Sequence, residues 1–470
     1  MMKKDSKEYY LAIDIGASSG RHILGYVENG ILKLEEVYRF SNGMQDVDGS
    51  KCWNVEKLFS EIKAGMRRCM ELNKIPRSVS VDTWGCDFVL LDASDQMLGQ
   101  AVGYRDSRTK GMDEVVSRYL TEEELYTRTG IQKLVYNTIY QLMAIRQNNP
   151  ELLAQAETFL MIPDYFHYLL TGQKSAEYTI CTTGQLVNLK TGNWDYELFD
   201  LLGYPKHIFP DIKMPGTVLG NLTNEVAKEV GFDCQVVMAA GHDTASAVMS
   251  VPAVDTDVAY ISSGTWSLLG VELWEANVST ESRKANFTNE GGYDRRYRFL
   301  KDIMGLWLIQ SVRHELEDRY SFGELCAMAE EEKEFSSRID VDQECFFAPE
   351  SMIKAIQTYC SESGQLVPET PGEIASVVYQ SLAESYGNTL LELEKILGRE
   401  YPVLYIVGGG SHADYLNQLT ANRTGKTVYA GPVEATAIGN LLAQMIREGI
   451  FQDLKEARNC VKASFPLKVF

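Results

Sequence analysis

Two stretches of this chain share a plan that few folds accommodate: an apolar run that must be a buried strand, a turn of small residues, and a second strand directly after it. The first is YYLAIDIGASSGR (9–21) and the second is VAYISSGTW (258–266). Small residues between two strands make a tight hairpin, because glycine and its smallest neighbours fit where larger side chains clash. The first hairpin adds a constraint. Asp14 stands inside the apolar run, and a buried carboxylate is costly unless a cation or hydrogen-bond donors meet it. Backbone N–H groups in such turns can face an anion, and the hydroxyls of Ser18, Ser19, Ser262, Ser263 and Thr265 add donors without bulk. Phosphate is the natural guest, with Arg21 to offset its charge and Mg²⁺ held near Asp14 directly or through water. A turn that merely needs glycine, and a solvated strand arginine at Arg21, are the plainer readings of the same residues.

At 470 residues the chain is long enough for two or more domains. A hydrophobic content of 45% and a charged content of 23% are ordinary for a folded enzyme. The net charge of −20 argues against a nucleic-acid or anionic-membrane surface, since both need basic patches. The start, MMKKDSKEYYLAIDIG, is briefly basic, but Asp14 interrupts the apolar stretch before a secretory core forms, and no later run reaches membrane-spanning length. A cytoplasmic protein is expected. The nine cysteines form an odd set without any Cys-x-x-Cys, which fits unpaired thiols in a reducing compartment better than disulfides or a zinc site.

Strand-like segments at 9–15, 22–27 and 31–39 predict an antiparallel meander. Helical spacing over 55–70 then leads into strands at 78–84 and 88–92, an alternation that predicts the α/β class. Residues 111–170 read as mostly helical and 171–235 as irregular. Pro252 and the acidic residues of SVPAVDTD (250–257) suggest a crossing, dividing the chain into 1–250 and 251–470. Because each part opens with a small-residue hairpin, two structurally related halves are inferred. Thr370, Pro371 and apolar residues at three- and four-residue steps predict one long helix ending at Gly398.

Three further segments can do chemistry. IVGGGS (406–411) lacks the spacing of a dinucleotide fingerprint or a P-loop, yet strand, glycines and helix in that order let a backbone approach a nucleotide. In MAAGHDTASAV (238–248), Asp243 sits where a strand meets a helix. It is either a plain N-cap or a general base beside a phosphate pocket. DTWGCDF (82–88) supplies Asp82, Gly85 and Asp87 at a strand end, where a simple turn is the alternative.

In order, AIDIGASSGR, VDTWGCDFVLLD, GYRDSRT (103–109), GHDTASAV, SSGTWSL, NEGG (289–292), IMGLW (303–307) and IVGGG with GPVEA resemble the FGGY carbohydrate kinases over about residues 9 to 450. The resemblance implies two ribonuclease-H-like domains of the actin and hexokinase ATPase type, with a cleft between them for sugar and ATP. It implies ATP- and Mg²⁺-dependent phosphorylation of L-rhamnulose at O1, giving L-rhamnulose 1-phosphate and ADP, in L-rhamnose catabolism. Asp243 is then the proton acceptor for the sugar C1 hydroxyl. Ala17, Ser18, Ser19, Gly20 and Arg21 form the first phosphate loop, and Thr265 belongs to the second. Gln310, Gly409 and Gly410 lie at the nucleotide, while Gly85, His242 and Thr244 line the sugar site. Asp302 stands where the family carries an asparagine, and the family's paired cysteines near Leu419 and Arg423 are absent. A kinase of another ketose or polyol (L-fuculose, xylulose, glycerol), an actin-like ATP-binding protein and a sugar-binding regulator are the rival readings.

Overall fold

The computed structural model describes residues 7–253 and 257–470; residues 1–6, and 254–256 of the expected crossing, lie outside the described residues. The chain forms two compact units. One contains the described residues up to 253 with Leu273–Phe299 and Thr436–Ser464, and the other contains 257–272 with Leu300–Ala435 and Phe465–Phe470. Two segments from later in the chain, Leu273–Phe299 and Thr436–Ser464, thus pack with the first unit. One reason is visible at Gly439. A methyl group there would overlap the Ser246 carbonyl, so only glycine lets the Ala435–Arg447 helix lie this close to the Asp243–Met249 helix.

The sheet of the first unit has the strand order Val218–Asn221, Gln235–Val237, Pro76–Thr83, Tyr9–Ile15, Ser19–Glu28 and Ile31–Ser41. Tyr9–Ile15 runs antiparallel to Ser19–Glu28 and parallel to Pro76–Thr83. A central strand is covered on both faces, and every residue of YYLAIDI after Tyr9 is buried. The Val55–Glu71 helix starts at Asn54, whose side chain accepts from Lys57 N at 2.9 Å, and buries Leu58, Ile62, Met66 and Cys69. Within 111–170 five helices occur, but Thr158–Met161 is a strand paired antiparallel with Phe88–Leu91. The stretch 171–235 is less irregular than expected. It holds the helices Tyr178–Thr182, Tyr196–Leu202 and Asn224–Val230, each too short for its apolar period to register in sequence. Phe88, Phe159, Trp194, Phe199 and Phe209 pack together beneath them.

In the second unit Val258–Ser263 is antiparallel to Trp266–Leu273 and parallel to Val403–Val407, which is parallel in turn to Thr427–Ala430. The plan of the first unit recurs: a hairpin comes first, and strands from later in the chain line up parallel to its first strand. The long helix is Pro371–Leu397, closed at its start by reciprocal hydrogen bonds between Thr370 and Glu373 and at its end by Gly398 at φ +62°.

Candidate active site

The register of the first unit sets Asp14 opposite Arg21 on one side and Asp82 on the other. Arg21 Nε and Nη2 donate to Asp14 Oδ2 at 2.9 and 2.8 Å, so the cation that meets this buried carboxylate is the hairpin's own arginine. Asp82 is fully buried; its Oδ2 accepts from Asn440 Nδ2 at 2.6 Å, while its Oδ1 has no hydrogen-bond partner. Burial, reinforced by the charges of Asp14 and Asp243, pushes the Asp82 carboxyl well above the usual carboxylate range, against the opposing Asn440 hydrogen bond. Asn440 follows Gly439, so the close helix contact is what brings its amide to Asp82.

The segment leading to Asp243 is held from several sides. Thr83 N donates to the Gly241 carbonyl at 2.9 Å, Gly241 N donates to Glu177 Oε2 at 2.9 Å, and His242 N donates to Thr179 Oγ1 at 3.3 Å. Glu177 also accepts from the N–H groups of Thr179 and Ile180, tying a neighbouring helix start to the same carboxylate. His242, not Asp243, occupies the cap of the Asp243–Met249 helix, and no side-chain cap bond forms. The N-cap reading of Asp243 therefore falls. Its Oδ1 accepts from the Thr244 hydroxyl at 3.1 Å and lies 3.5 Å from His242 Nε2, and its side chain keeps 29% exposure. Burial raises the Asp243 carboxyl, His242 opposes that rise and Asp14 adds to it; the remaining exposure tempers the effect.

Around these groups, Asn42 secures the first turn by donating from its backbone N to Ser18 O at 3.0 Å and from Nδ2 to Gly16 O at 2.8 Å. Ser18 is exposed, Ala17 and Ser19 are half-buried, and Gly20 lies beneath the Phe40 ring, where a methyl group would overlap it. Gly85 packs against Thr183, whose Oγ1 accepts from Cys86 N at 3.1 Å. Asp87 is a buried hub: Trp53 Nε1, Trp84 Nε1, Tyr104 N and Gln141 Nε2 donate to it at 2.7, 2.9, 3.0 and 3.0 Å.

The second unit assembles its own set. Leu306 N and Trp307 N donate to the carbonyls of Gly264 and Thr265 at 3.0 and 3.1 Å, so the Trp307–Glu315 helix with Gln310 starts from the hairpin. Gly305 allows this, since a Cβ there would lie 2.6 Å from the Trp266 carbonyl carbon. Gly408 takes φ +87° with its Cβ direction 2.9 Å from Ser263 O, and a methyl group at Gly410 would overlap Ser263 Oγ. Gly409 faces open space. The glycine run thus divides its labour: two residues brace the hairpin, and one leaves the backbone accessible. Asp302 is on the Tyr297–Met304 strand and belongs to the second unit, while Gly85, His242 and Thr244 belong to the first.

Residues 9–250 match the N-terminal domain, and 259–448 the C-terminal domain, of the FGGY family of carbohydrate kinases. The chain belongs to the FGGY family of carbohydrate kinases. Family members similar to it include the rhamnulokinase of Oceanobacillus iheyensis, 48% identical over 98% of this chain and 97% of that protein. Those of Halalkalibacterium halodurans and Bacillus subtilis are 49% and 43% identical over 98% of this chain, covering 98% and 95% of those proteins. Among solved structures, a gluconate kinase from Lactobacillus acidophilus superposes with a TM-score of 0.79 at 18% identity, over 99% of this chain and 94% of that one. Plasmodium falciparum glycerol kinase with ADP superposes with a TM-score of 0.78 at 15% identity, over 98% and 94% of the two chains. These likenesses establish the ribonuclease-H-like α/β fold of sugar kinases. Among the described residues, no helix is long and apolar enough to cross a membrane.

Sequence reasoning named Asp14, Arg21, His242 and Asp243, but it missed Glu177, Asn440, Glu290 and Arg298. Glu290 lies within NEGG, yet nothing in that quartet shows that its carboxylate would meet His242 on one side and Arg298 on the other.

Proposed function

We propose that this chain is an ATP-dependent kinase that phosphorylates L-rhamnulose on O1, releasing L-rhamnulose 1-phosphate and ADP. The observation that carries the reading is Asp243, a carboxylate fixed at a helix start, partly open, with its proton affinity raised by burial. A general base works best when its pKa approaches the operating pH, and a buried carboxylate moves that way. Asp243 accepts the proton of the C1 hydroxyl as that oxygen attacks the terminal phosphorus; His242 and Thr244 flank it and orient the sugar. Each hairpin by itself offers backbone N–H groups and hydroxyls suited to phosphate oxygens, and in the first Arg21 lends positive charge without leaving its strand. The residues fit a magnesium nucleotide: Asp14 is buried beside Asp82, whose Oδ1 still lacks a partner. Asp14 would hold a nucleotide-bound Mg²⁺, directly or through water, and the ion would supply neutralisation of phosphate charge. Among the described residues no group of three or more His, Cys, Asp or Glu side chains is arranged to hold a metal by itself.

The choice of sugar rests on the rhamnulokinases at 43–49% identity. A panel of L-rhamnulose, L-fuculose, D-xylulose and glycerol, read by coupled ADP release, tests it: the largest kcat/KM is expected for L-rhamnulose. A larger value for any other member reassigns the substrate. ATP hydrolysis unaffected by every sugar overturns the kinase reading.

A further inference from the structure

An imidazole stands beside Asp243, the base of the proposed reaction, and which of its ring nitrogens carries the proton decides what that base meets. His242 Nε2 lies 3.5 Å from Asp243 Oδ1, and Nδ1 lies 3.2 Å from Glu290 Oε2. Arg298 Nη2 is 3.1 Å from the same Nδ1, and Arg298 Nε donates to the Gly291 carbonyl at 3.0 Å. A guanidinium has donors only and keeps its charge. Nη2 therefore donates, Nδ1 accepts, and the ring carries its proton on Nε2. Glu290 pulls the other way. Without the guanidinium, a carboxylate at this distance would draw the ring proton to Nδ1, and Nε2 would turn a lone pair toward Asp243.

The pair that sets this choice is costly to keep. Arg298 has no exposure at all and Glu290 only 4%. Nη2 lies 2.8 Å from Glu290 Oε2, yet that oxygen makes no hydrogen bond, and neither does Arg298 Nη1. Removing both charges of such a pair from water is expensive, and apolar residues of the same volume often serve stability as well or better. A buried ion pair this poorly satisfied, with a side-chain hydrogen bond spent on an imidazole nitrogen, points to a task other than holding the fold together.

We infer that Arg298 is a positioning residue: by donating to Nδ1 it locks His242 as the Nε2–H tautomer, so that an N–H and never a lone pair faces the Asp243 carboxylate. At 3.5 Å this contact is longer than a hydrogen bond, but the N–H dipole favours the ionised carboxylate, the form that accepts the sugar proton. The opposite tautomer would add a lone pair to the burial and the Asp14 charge that already raise this carboxyl. The ring neither gains nor loses a proton in turnover. Its part is to keep the base charged. The effect on catalysis rests on the proposed kinase reaction, whereas the tautomer stands without it. The other charged groups that act on Asp243 are Asp14, which Arg21 pairs, and Asp82.

Nitrogen NMR of the full chain carrying isotope-labelled histidine tests the lock. Its six histidines give few signals, and that of His242 is assigned by its loss in His242→Gln. At neutral pH the wild type is expected to show Nδ1 bare and Nε2 protonated. A protonated Nδ1 overturns the lock, whether or not the enzyme turns over. In Arg298→Met the ring proton is expected on Nδ1. With L-rhamnulose and Mg-ATP, kcat should fall about 10-fold, the equivalent of one pKa unit in the base, with sugar KM little changed. The acid limb of its pH profile should move to higher pH, because a carboxylate facing a lone pair protonates sooner. Glu290→Gln keeps the guanidinium and is expected to keep the wild-type tautomer. A folded Arg298→Met with the wild-type tautomer, or with an unmoved acid limb, overturns the positioning role. If thermal melts show that Arg298→Met does not fold, His242→Gln and His242→Asn decide the matter. The glutamine amide reaches the place of Nε2–H and the asparagine amide does not, so glutamine should retain about 10-fold more kcat. Equal rates overturn the part played by the N–H. A wild type inactive with every sugar fails the proposed function, and the spectrum still decides the lock.

Discussion

The two hairpins stand on the same strand order and carry opposite contents. In the first unit the hairpin strand bears Asp14 against Arg21, with Asp82 one strand away and Asp243 close enough to disturb its ionisation. In the second, the turn from Ser263 to Trp266 contains no charged side chain and is braced by Gly305, Gly408 and Gly410. The difference teaches where a kinase of this type needs each kind of group. Under the proposed reaction, proton transfer would call on ionisable groups whose affinities are tuned by burial and by one another, and such groups gather in the first unit. Phosphate oxygens would be met by neutral donors held rigidly, which a backbone turn offers without adding charge to a chain already at −20.

The sharpest way to break that contrast is Asp243→Asn, which keeps the shape and removes the base. A fall in kcat of about 10²–10⁴ is expected, or roughly 3–5 kcal/mol of barrier, with ATP affinity nearly unchanged. In the wild type, activity should fall on acidification through a pKa above the ordinary 3.8, because the raised carboxyl protonates earlier and protonated Asp243 cannot act as base. Steady-state kinetics across pH check both points. Normal turnover in the variant would strip the first unit of its proton-handling role.

The second unit is probed through packing instead. Gly410→Ala would drive a methyl group into Ser263 Oγ, with the Ser263 Cβ close behind. Overpacking of this kind costs about 1–3 kcal/mol. Lower thermal stability and a raised KM for ATP are expected, with kcat at saturation less affected. Pairing it with Ser263→Gly should recover much of the stability, since the variant side chains then no longer meet. Gly409→Ala, with nothing within 4 Å of its Cβ direction, should leave stability alone and report only on the ligand. If both glycines behave alike, the distinction between brace and opening is lost.

How much of this was legible in the sequence follows from the range of each interaction. The hairpins, the meander and the Pro371–Leu397 helix were readable because turn residues, alternation and capping are local. Asp14 was expected to meet a cation, with Mg²⁺ near it and Arg21 turned to phosphate; the hairpin register pairs Arg21, seven residues on, with Asp14 itself. The sequence left Asp243 open between cap and base because aspartate is a good cap by type, while the cap position is occupied by His242, held with Gly241 by Glu177 and Thr179 from another segment. Glu290 and Arg298 were invisible for the same reason. A charged residue in a strand reads as solvated until the fold brings its partner to it. Gly408 and Gly410 look identical to Gly409 in the sequence, and only the proximity of Ser263 separates them.

The mildest test concerns what the carboxylate cluster costs the fold. Asp82 is fully buried, its carboxyl is pushed well above 3.8 by desolvation and by Asp14 and Asp243, and one of its oxygens has no partner. The folded protein thus binds a proton that the unfolded chain releases near 3.8, and stability is lost as pH rises through the folded value. Asp82→Asn removes that titration and can still accept from Asn440. In metal-free buffer its stability should decline less with rising pH than that of the wild type, by about 1.4 kcal/mol for each pKa unit of displacement. Parallel decline in chemical denaturation at several pH values would mean that Asp82 carries no such penalty. The charged content of the first unit would then be no more expensive to fold than the neutral turn of the second.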